Sequence, residues 1–286
     1  MKNKTIASLV ILIIAVFICL VFLPRSFSSG SEEILFKVEK GEGSREIAFN
    51  LESQGLIWSA PLFRVYVLIL GTAHRLQAGT YSFSPSMNMP IISGKLAEGD
   101  ILKIKVTIPE GLTAEEIYQK LEDVTGVDLS ELENLQGYLF PDTYEISYGA
   151  DSKEVIGMMT ANFNRKITDD MKEEISRQGK TLEDIVIMAS LLEKEVKTKD
   201  EKELASGILW KRLRVGMPLQ VDAATTTYQK LGLPEKPVCN PGLVSIMASL
   251  YPEESSFWYY LSTPDGETIF SRTLEEHNVA KYQYLK

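Results

Sequence analysis

The chain has 286 residues, of which 44% are hydrophobic and 24% charged, with a formal net charge of −9. That composition fits one large or two modest globular domains, and the acidic balance argues against a nucleic-acid groove or extended contact with anionic lipid. Two cysteines, Cys19 and Cys239, and two histidines, His74 and His277, predict no intramolecular disulfide, no zinc site and no cofactor.

The first predicted element is a membrane span. Residues 6–23 read IASLVILIIAVFICLVFL, without a charge. At about 1.5 Å per residue this run covers roughly 27 Å, close to the hydrocarbon thickness of a bilayer. Lys2 and Lys4 precede it and every acidic residue follows it, which orients the bulk of the chain outward. The expectation is a cytoplasmic tail (residues 1–4), a transmembrane anchor (5–23) and a polar linker (24–33). The chain would then be a single-pass protein of the cytoplasmic (inner) membrane with an extracytoplasmic functional part. A cleaved signal peptide ordinarily has a shorter apolar region and a small-x-small site after it; Phe22-Leu23-Pro24 offers none.

Residues 34–103 read as a small α/β module. A strand at 34–38 leads through a Gly-rich turn to a helix at 45–54 with Ser44 as its N-cap and Gly55 as its stop. A helix at about 60–70, a strand at 78–83 and a helix at 89–96, closed by Gly99, follow. Residues 104–286 form the second predicted domain. It opens with a strand at 104–108, a turn at Pro109-Glu110-Gly111 and a capping box from Thr113 to Glu116. The pattern E-I-x-x-x-L-E occurs at Glu46 and again at Glu116, suggesting two related strand–turn–helix units. Helices are then predicted at 153–165, 169–178, 181–197 and 199–214. A loop-rich stretch to Gly242, a short helix at 244–249, a hairpin (257–262 and 268–270) around Pro264-Asp265-Gly266 and a last helix at 274–284 complete the chain. The fold class is α+β, with a mixed second domain that is helical at its centre.

The sharpest chemical signal is the helix at 181–197. Its segment Ile185 to Leu192 is apolar on every side, as in a buried helix. Glu193 ends that run in register with Leu182, Val186 and Ala189, whereas Glu195 falls on another face beside Lys194 and Lys197. Burial and the negative end of the helix dipole would both raise the pKa of Glu193, suiting it to general-acid work. The plainer reading makes Glu193 the start of the solvent-facing turn, paired with Lys197. His74 and His277 read as surface or packing residues, a Cys239–His277 pair has no local support, and Trp258-Tyr259-Tyr260 reads either as a sugar-stacking platform or as ordinary strand residues. Neither a Walker A loop nor a dinucleotide fingerprint is present.

Several motifs in order give the chain a family likeness: Gln136-Gly137-Tyr138-Leu139-Phe140-Pro141-Asp142-Thr143-Tyr144, then Ala189-Ser190-Leu191-Leu192-Glu193-Lys194-Glu195, Arg212-Leu213, Gly216 to Asp222, Asn240-Pro241-Gly242 and Glu276-His277-Asn278. In these the chain resembles the MltG (YceG-like) endolytic murein transglycosylases of bacteria. Two departures stand out: Gln136 replaces a glutamate, and only residues 223–239 fill a segment that is longer in the family.

The resemblance implies a LysM-like module over 34–103, a catalytic transglycosylase domain over 104–286, and Glu193 as the catalytic residue. It further implies cleavage of the bond between N-acetylmuramic acid and N-acetylglucosamine. One carboxyl would act as acid and then base, giving 1,6-anhydromuramoyl ends. Asp142, Tyr144, Gln220, Asp222 and Asn240 are the candidates for orienting sugar and acid. Implied partners are peptidoglycan strands, the cell membrane and peptidoglycan synthases such as penicillin-binding proteins, with a role in ending nascent strands. Rival readings are a hydrolytic muramidase and a non-catalytic, membrane-tethered glycan-binding or scaffold protein.

Overall fold

The computed structural model describes residues 2–26, 33–125 and 135–285, so most of the expected polar linker lies outside the described residues. Helix α1 (Lys2–Phe22) contains the apolar run. Several of its side chains lie outside the described set, and among the described residues no helix is long and apolar enough to cross a membrane.

The chain divides into two compact units: residues 1–104 with 145–149, and residues 105–144 with 150–286. In the first, β1 (Ile34–Val38) and β2 (Gly79–Phe83) pair antiparallel with Phe36 opposite Tyr81. Strand alternation turns Phe36, Val38, Tyr81 and Phe83 inward, and all four are buried. Helices α2 (Ser44–Ser53), α3 (Ala60–Ile69) and α4 (Met89–Glu98) bring Ile47, Leu51, Phe63, Val67, Ile92 and Leu96 into the same core. Ser44 is not the N-cap of α2. It is the first helical residue, Gly43 holds the cap position, and the Glu46 carboxylate accepts from the Gly43 N–H at 2.8 Å. Helix α4 stops at Gly99, whose φ of 71° is left-handed and suits glycine.

Strands β3 (Lys103–Thr107) and β4 (Thr143–Ser147) pair with each other, and the chain passes between the two units within them. The second unit continues with α5 (Ala114–Thr125), α6 (Ser152–Lys166), α7 (Asp169–Arg177), α8 (Leu182–Glu195) and α9 (Lys199–Arg214). A 3₁₀ segment (Asp222–Tyr228), α10 (Leu243–Leu250), the hairpin β5 (Tyr259–Ser262) with β6 (Thr268–Ser271) and α11 (Leu274–Tyr284) complete it. Helix α8 is the central strut. Every residue from Ile185 to Leu192 is buried, and α8 packs on both α9 and α10. Its start is fixed by a capping box in which Thr181 Oγ1 accepts from Asp184 N–H at 3.0 Å and the Asp184 carboxylate accepts from Thr181 N–H at 2.8 Å.

Helix α9 approaches the segment after α10 so closely that a Cβ on Gly207 would lie 1.9 Å from the Glu253 carbonyl oxygen. Alanine is the better helix former by about 1 kcal/mol, but a backbone clash forces the helix away at a cost of about 1–3 kcal/mol. Gly207→Ala is thus expected to lower the urea midpoint of unfolding despite its helix propensity; an unchanged or higher midpoint would show that this approach is loose.

Candidate active site

The last turn of α8 carries two carboxylates two positions apart, and a helix sends such a pair to different sides. Glu193 points into the protein. Its Oε1 lies 3.0 Å from Lys202 Nζ on α9, and the two side chains are 9% and 5% exposed. Its Oε2 accepts from the Gly242 N–H at 2.9 Å and from the Ser245 hydroxyl at 2.7 Å. The expected burial is present, but the expected apolar surroundings are not: the carboxylate is an acceptor held by three donors. Its lysine partner is Lys202 on the next helix rather than Lys197.

A second carboxylate stands beside this cluster. A Cβ on Gly242 would meet Glu110 Oε1 at 1.9 Å, so the Glu110 carboxyl lies directly against the glycine that donates to Glu193. Burial first, and then the Glu193 charge, push Glu110 above the ordinary glutamate range, with Lys202 opposing.

Glu195 faces the other way, into a cavity of about 370 Å³ lined also by Arg212, Gln220, Asp222, Tyr228 and Tyr260. Its Oε1 accepts from the Ala223 N–H at 3.0 Å. Its pKa is raised, chiefly by burial and secondarily by the Asp222 charge, while the Ala223 N–H works against the shift. Across the cavity the Tyr228 hydroxyl donates to Asp222, and this bond is the leading reason the phenol is pushed up to about 12. Arg212 is fixed by bonds to the Trp258 carbonyl at 3.0 and 2.7 Å and to the Leu219 carbonyl. It forms a rigid cationic wall. Among the described residues the hydroxyl of Tyr260 and Nδ1 of His277 are buried without a hydrogen-bond partner, and both residues line the cavity. Burial, then Lys281 and Arg212, push the His277 imidazole below its ordinary value, which favours the neutral ring. Tyr259 stacks on it with ring centres 5.2 Å apart.

Of the candidate orienting residues, Gln220 and Asp222 reach this cavity. Asp142, Tyr144 and Asn240 do not line it and serve as local ties. Asn162 Nδ2 donates to Asp142 at 3.0 Å and to the Tyr144 hydroxyl at 3.1 Å, and that hydroxyl donates to the Phe140 carbonyl. Asn240 is fully buried. Its Oδ1 accepts from the N–H groups of Gly137 (2.8 Å) and Leu139 (3.1 Å), and its Nδ2 donates to the Leu112 carbonyl at 3.0 Å. Gln136 performs a similar task, accepting from Ala114 N–H at 2.7 Å. Cys239 is buried with its thiol pushed up to about 12, mainly by burial, which makes it a poor nucleophile.

Sequence reasoning set Glu195 aside, passed over Tyr228 and the cavity role of His277, and read Tyr260 only as a stacking or strand residue. The signal was there: Glu195, Gln220, Asp222 and His277 all sit inside the quoted motifs.

The model of the YceG-like family matches residues 36–226 and 226–283. A Bacillus subtilis (strain 168) protein named endolytic murein transglycosylase is 26% identical over 302 residues, covering 87% of this chain and 84% of that protein. A protein of the same name from Streptococcus pneumoniae serotype 2 is 24% identical over 86% of the chain, which spans 57% of that longer relative. A crystal structure of a yceG-like protein from Listeria monocytogenes superposes with a TM-score of 0.55 at 27% identity, covering 88% of this chain and all of that one. The chain belongs to the YceG-like family.

Proposed function

We propose that this chain is a lytic transglycosylase that cuts the glycan strands of peptidoglycan, with Glu195 rather than Glu193 as its acid and base. The observation that carries the reading is the setting of Glu195: a carboxyl whose pKa is raised by burial, opening onto a polar cavity. A carboxyl that keeps its proton toward neutral pH is the group a glycosidic oxygen needs as it leaves. The names of the curated relatives supply the substrate class.

In this mechanism Glu195 gives its proton to the glycosidic oxygen leaving N-acetylmuramic acid. Charge develops on the sugar ring, and the C6 hydroxyl of the same sugar attacks the anomeric carbon. The Glu195 carboxylate takes the hydroxyl proton and is restored. The nucleophile is already attached, so its effective concentration is high and no activated water is required. Gln220 and Asp222 orient the sugar. Arg212 is locked to backbone carbonyls and fixes the wall opposite. The run at residues 6–23 anchors the enzyme in the cytoplasmic membrane with this site outside, where it shortens strands as synthases extend them.

Hydrolysis is the competing outcome. It is favoured by Asp222, which lies near enough to Glu195 to raise its pKa and could steer a water in the two-carboxylate manner. Mass spectrometry of the products from purified sacculi decides between them. Transglycosylation yields anhydro-ended muropeptides, whereas hydrolysis yields species heavier by one water. Binding of sacculi with no cleavage at all would leave only the scaffold reading.

The pH dependence has a definite sign. Glu195 must be protonated to act, so kcat is expected to fall as pH rises through its raised pKa. The same shift affects stability. The folded chain holds this proton more tightly than the unfolded chain, so the contribution is fully present below the ordinary glutamate pKa and is lost as pH climbs through the raised one. A pH series of kcat that rises monotonically toward alkali would remove Glu195 from the acid role.

A further inference from the structure

Consecutive residues of α9 look into two different places. Arg212 lines the Glu195 cavity. Lys211 and Arg214 line a separate cleft of about 710 Å³, to which Arg177, Lys180 and Trp210 also contribute. In a chain of net charge −9, four cations border this one concavity, with Glu254 as the only acid among its lining residues.

These cations differ in how they are satisfied. Arg177 is already paired with Glu174, through Nε at 2.7 Å and Nη2 at 2.6 Å. Lys180 donates to the neutral Gln178 Oε1 at 2.7 Å and lies 3.7 Å from the centre of the Trp210 ring. Lys211 donates to the carbonyls of Ser255, at 3.0 Å, and Phe257. Arg214 has no ion-pair partner among the described residues. Lys180 and Lys211 are both pushed below the ordinary lysine range, by burial first and by the Arg214 charge second. Like charges crowded around an open cleft repel one another, and an entering anion relieves that repulsion.

We propose that this cleft binds the carboxylates of the acidic peptides that hang from murein strands, with Lys180 and Arg214 as the gripping pair and Trp210 as the apolar wall. The proposal rests on the reading of the chain as a murein-cleaving enzyme. Two observations favour a peptide over a small inorganic anion. A cleft of about 710 Å³ holds far more than a phosphate, and its aromatic wall has no use for one. Lys211 and Arg212 are consecutive on α9 and bond the consecutive carbonyls of Phe257 and Trp258, so the walls of the two cavities are tied to one short segment.

The test uses the full-length chain in detergent micelles, as wild type and as Lys180→Gln/Arg214→Gln, on two substrates: strands bearing their peptides and the same strands stripped by an amidase. Two charge-assisted bonds are lost, so KM for peptide-bearing strands is expected to rise about tenfold or more. Neither kcat nor the kinetics on stripped strands should change, and the conservative variant Lys180→Arg/Arg214→Lys should keep most of the preference. Equal effects on both substrates, or no effect on either, would overturn the proposal. If even the wild type cuts neither substrate, the enzymatic reading fails separately. Calorimetry with the free acidic stem peptide still decides the cleft: binding lost in the glutamine double variant supports it, and binding of inorganic phosphate as tight as that of the peptide refutes it.

Discussion

Glu195→Gln is expected to reduce strand cleavage by about 10²–10⁴-fold with no loss of thermal stability. Glutamine keeps an oxygen able to accept from the Ala223 N–H but has no proton to give. Because burial and the Asp222 charge both disfavour an ionised group here, removing the charge should leave the unfolding midpoint at neutral pH unchanged or slightly raised. Rates of anhydro-product release, measured beside a calorimetric melt, read both quantities. A variant that folds and cuts at the wild-type rate would discard Glu195 as the acid.

Glu193→Gln is expected to do the opposite, damaging the fold first. Lys202 is 5% exposed and has the Glu193 carboxylate 3.0 Å away. Removing that charge takes from the buried ammonium its hydrogen-bonded counterion and leaves only the neighbouring Glu110 charge, at a cost of up to about 3–5 kcal/mol, a large share of the ~5–15 kcal/mol that holds a typical domain. The double change Glu193→Gln/Lys202→Met should recover most of the loss, since replacing both members of a buried pair by neutral groups is often tolerated. Urea unfolding of the two variants measures this. The pair of experiments also separates the roles: a Glu193→Gln variant of undiminished stability and no activity would return the acid role to Glu193.

Helices were easy to read because their apolar spacing is local. The periods of α6 to α9, the cap at Thr181 and the glycine stops could all be placed to within a residue or two. β4 was not seen. Its inward residues are only Tyr144 and Ile146, with exposed Thr143 and Glu145 between them, and Pro141-Asp142 ahead of them looks like a turn. The surroundings of the two glutamates were illegible for a related reason. Helical register correctly put Glu193 inside, but what surrounds an inward side chain is decided by contacts distant in the chain. Lys202 comes from the next helix, and Gly242 and Ser245 come from about fifty residues on. Glu195 was passed over because its chain neighbours are lysines, while its actual environment is built by Ala223, Asp222 and Tyr260. Motif membership alone did not separate Gln220 and Asp222, which reach the cavity, from Asp142, Tyr144 and Asn240, which hold backbone.

Among the described residues, Gln220 is the only non-glycine with a positive φ, at 53°. Such a backbone costs about 1–3 kcal/mol for a residue with a Cβ, and glycine would adopt it freely. The bend is held from outside: Gln220 N–H donates to the Thr227 carbonyl at 3.2 Å, and Val221 N–H to Thr227 Oγ1 at 2.9 Å. Gln220 is exposed and lines the Glu195 cavity, so the strained backbone keeps a polar residue at that wall. The loop therefore works as a stiff bracket rather than a hinge, holding one neutral polar side chain at the cavity wall.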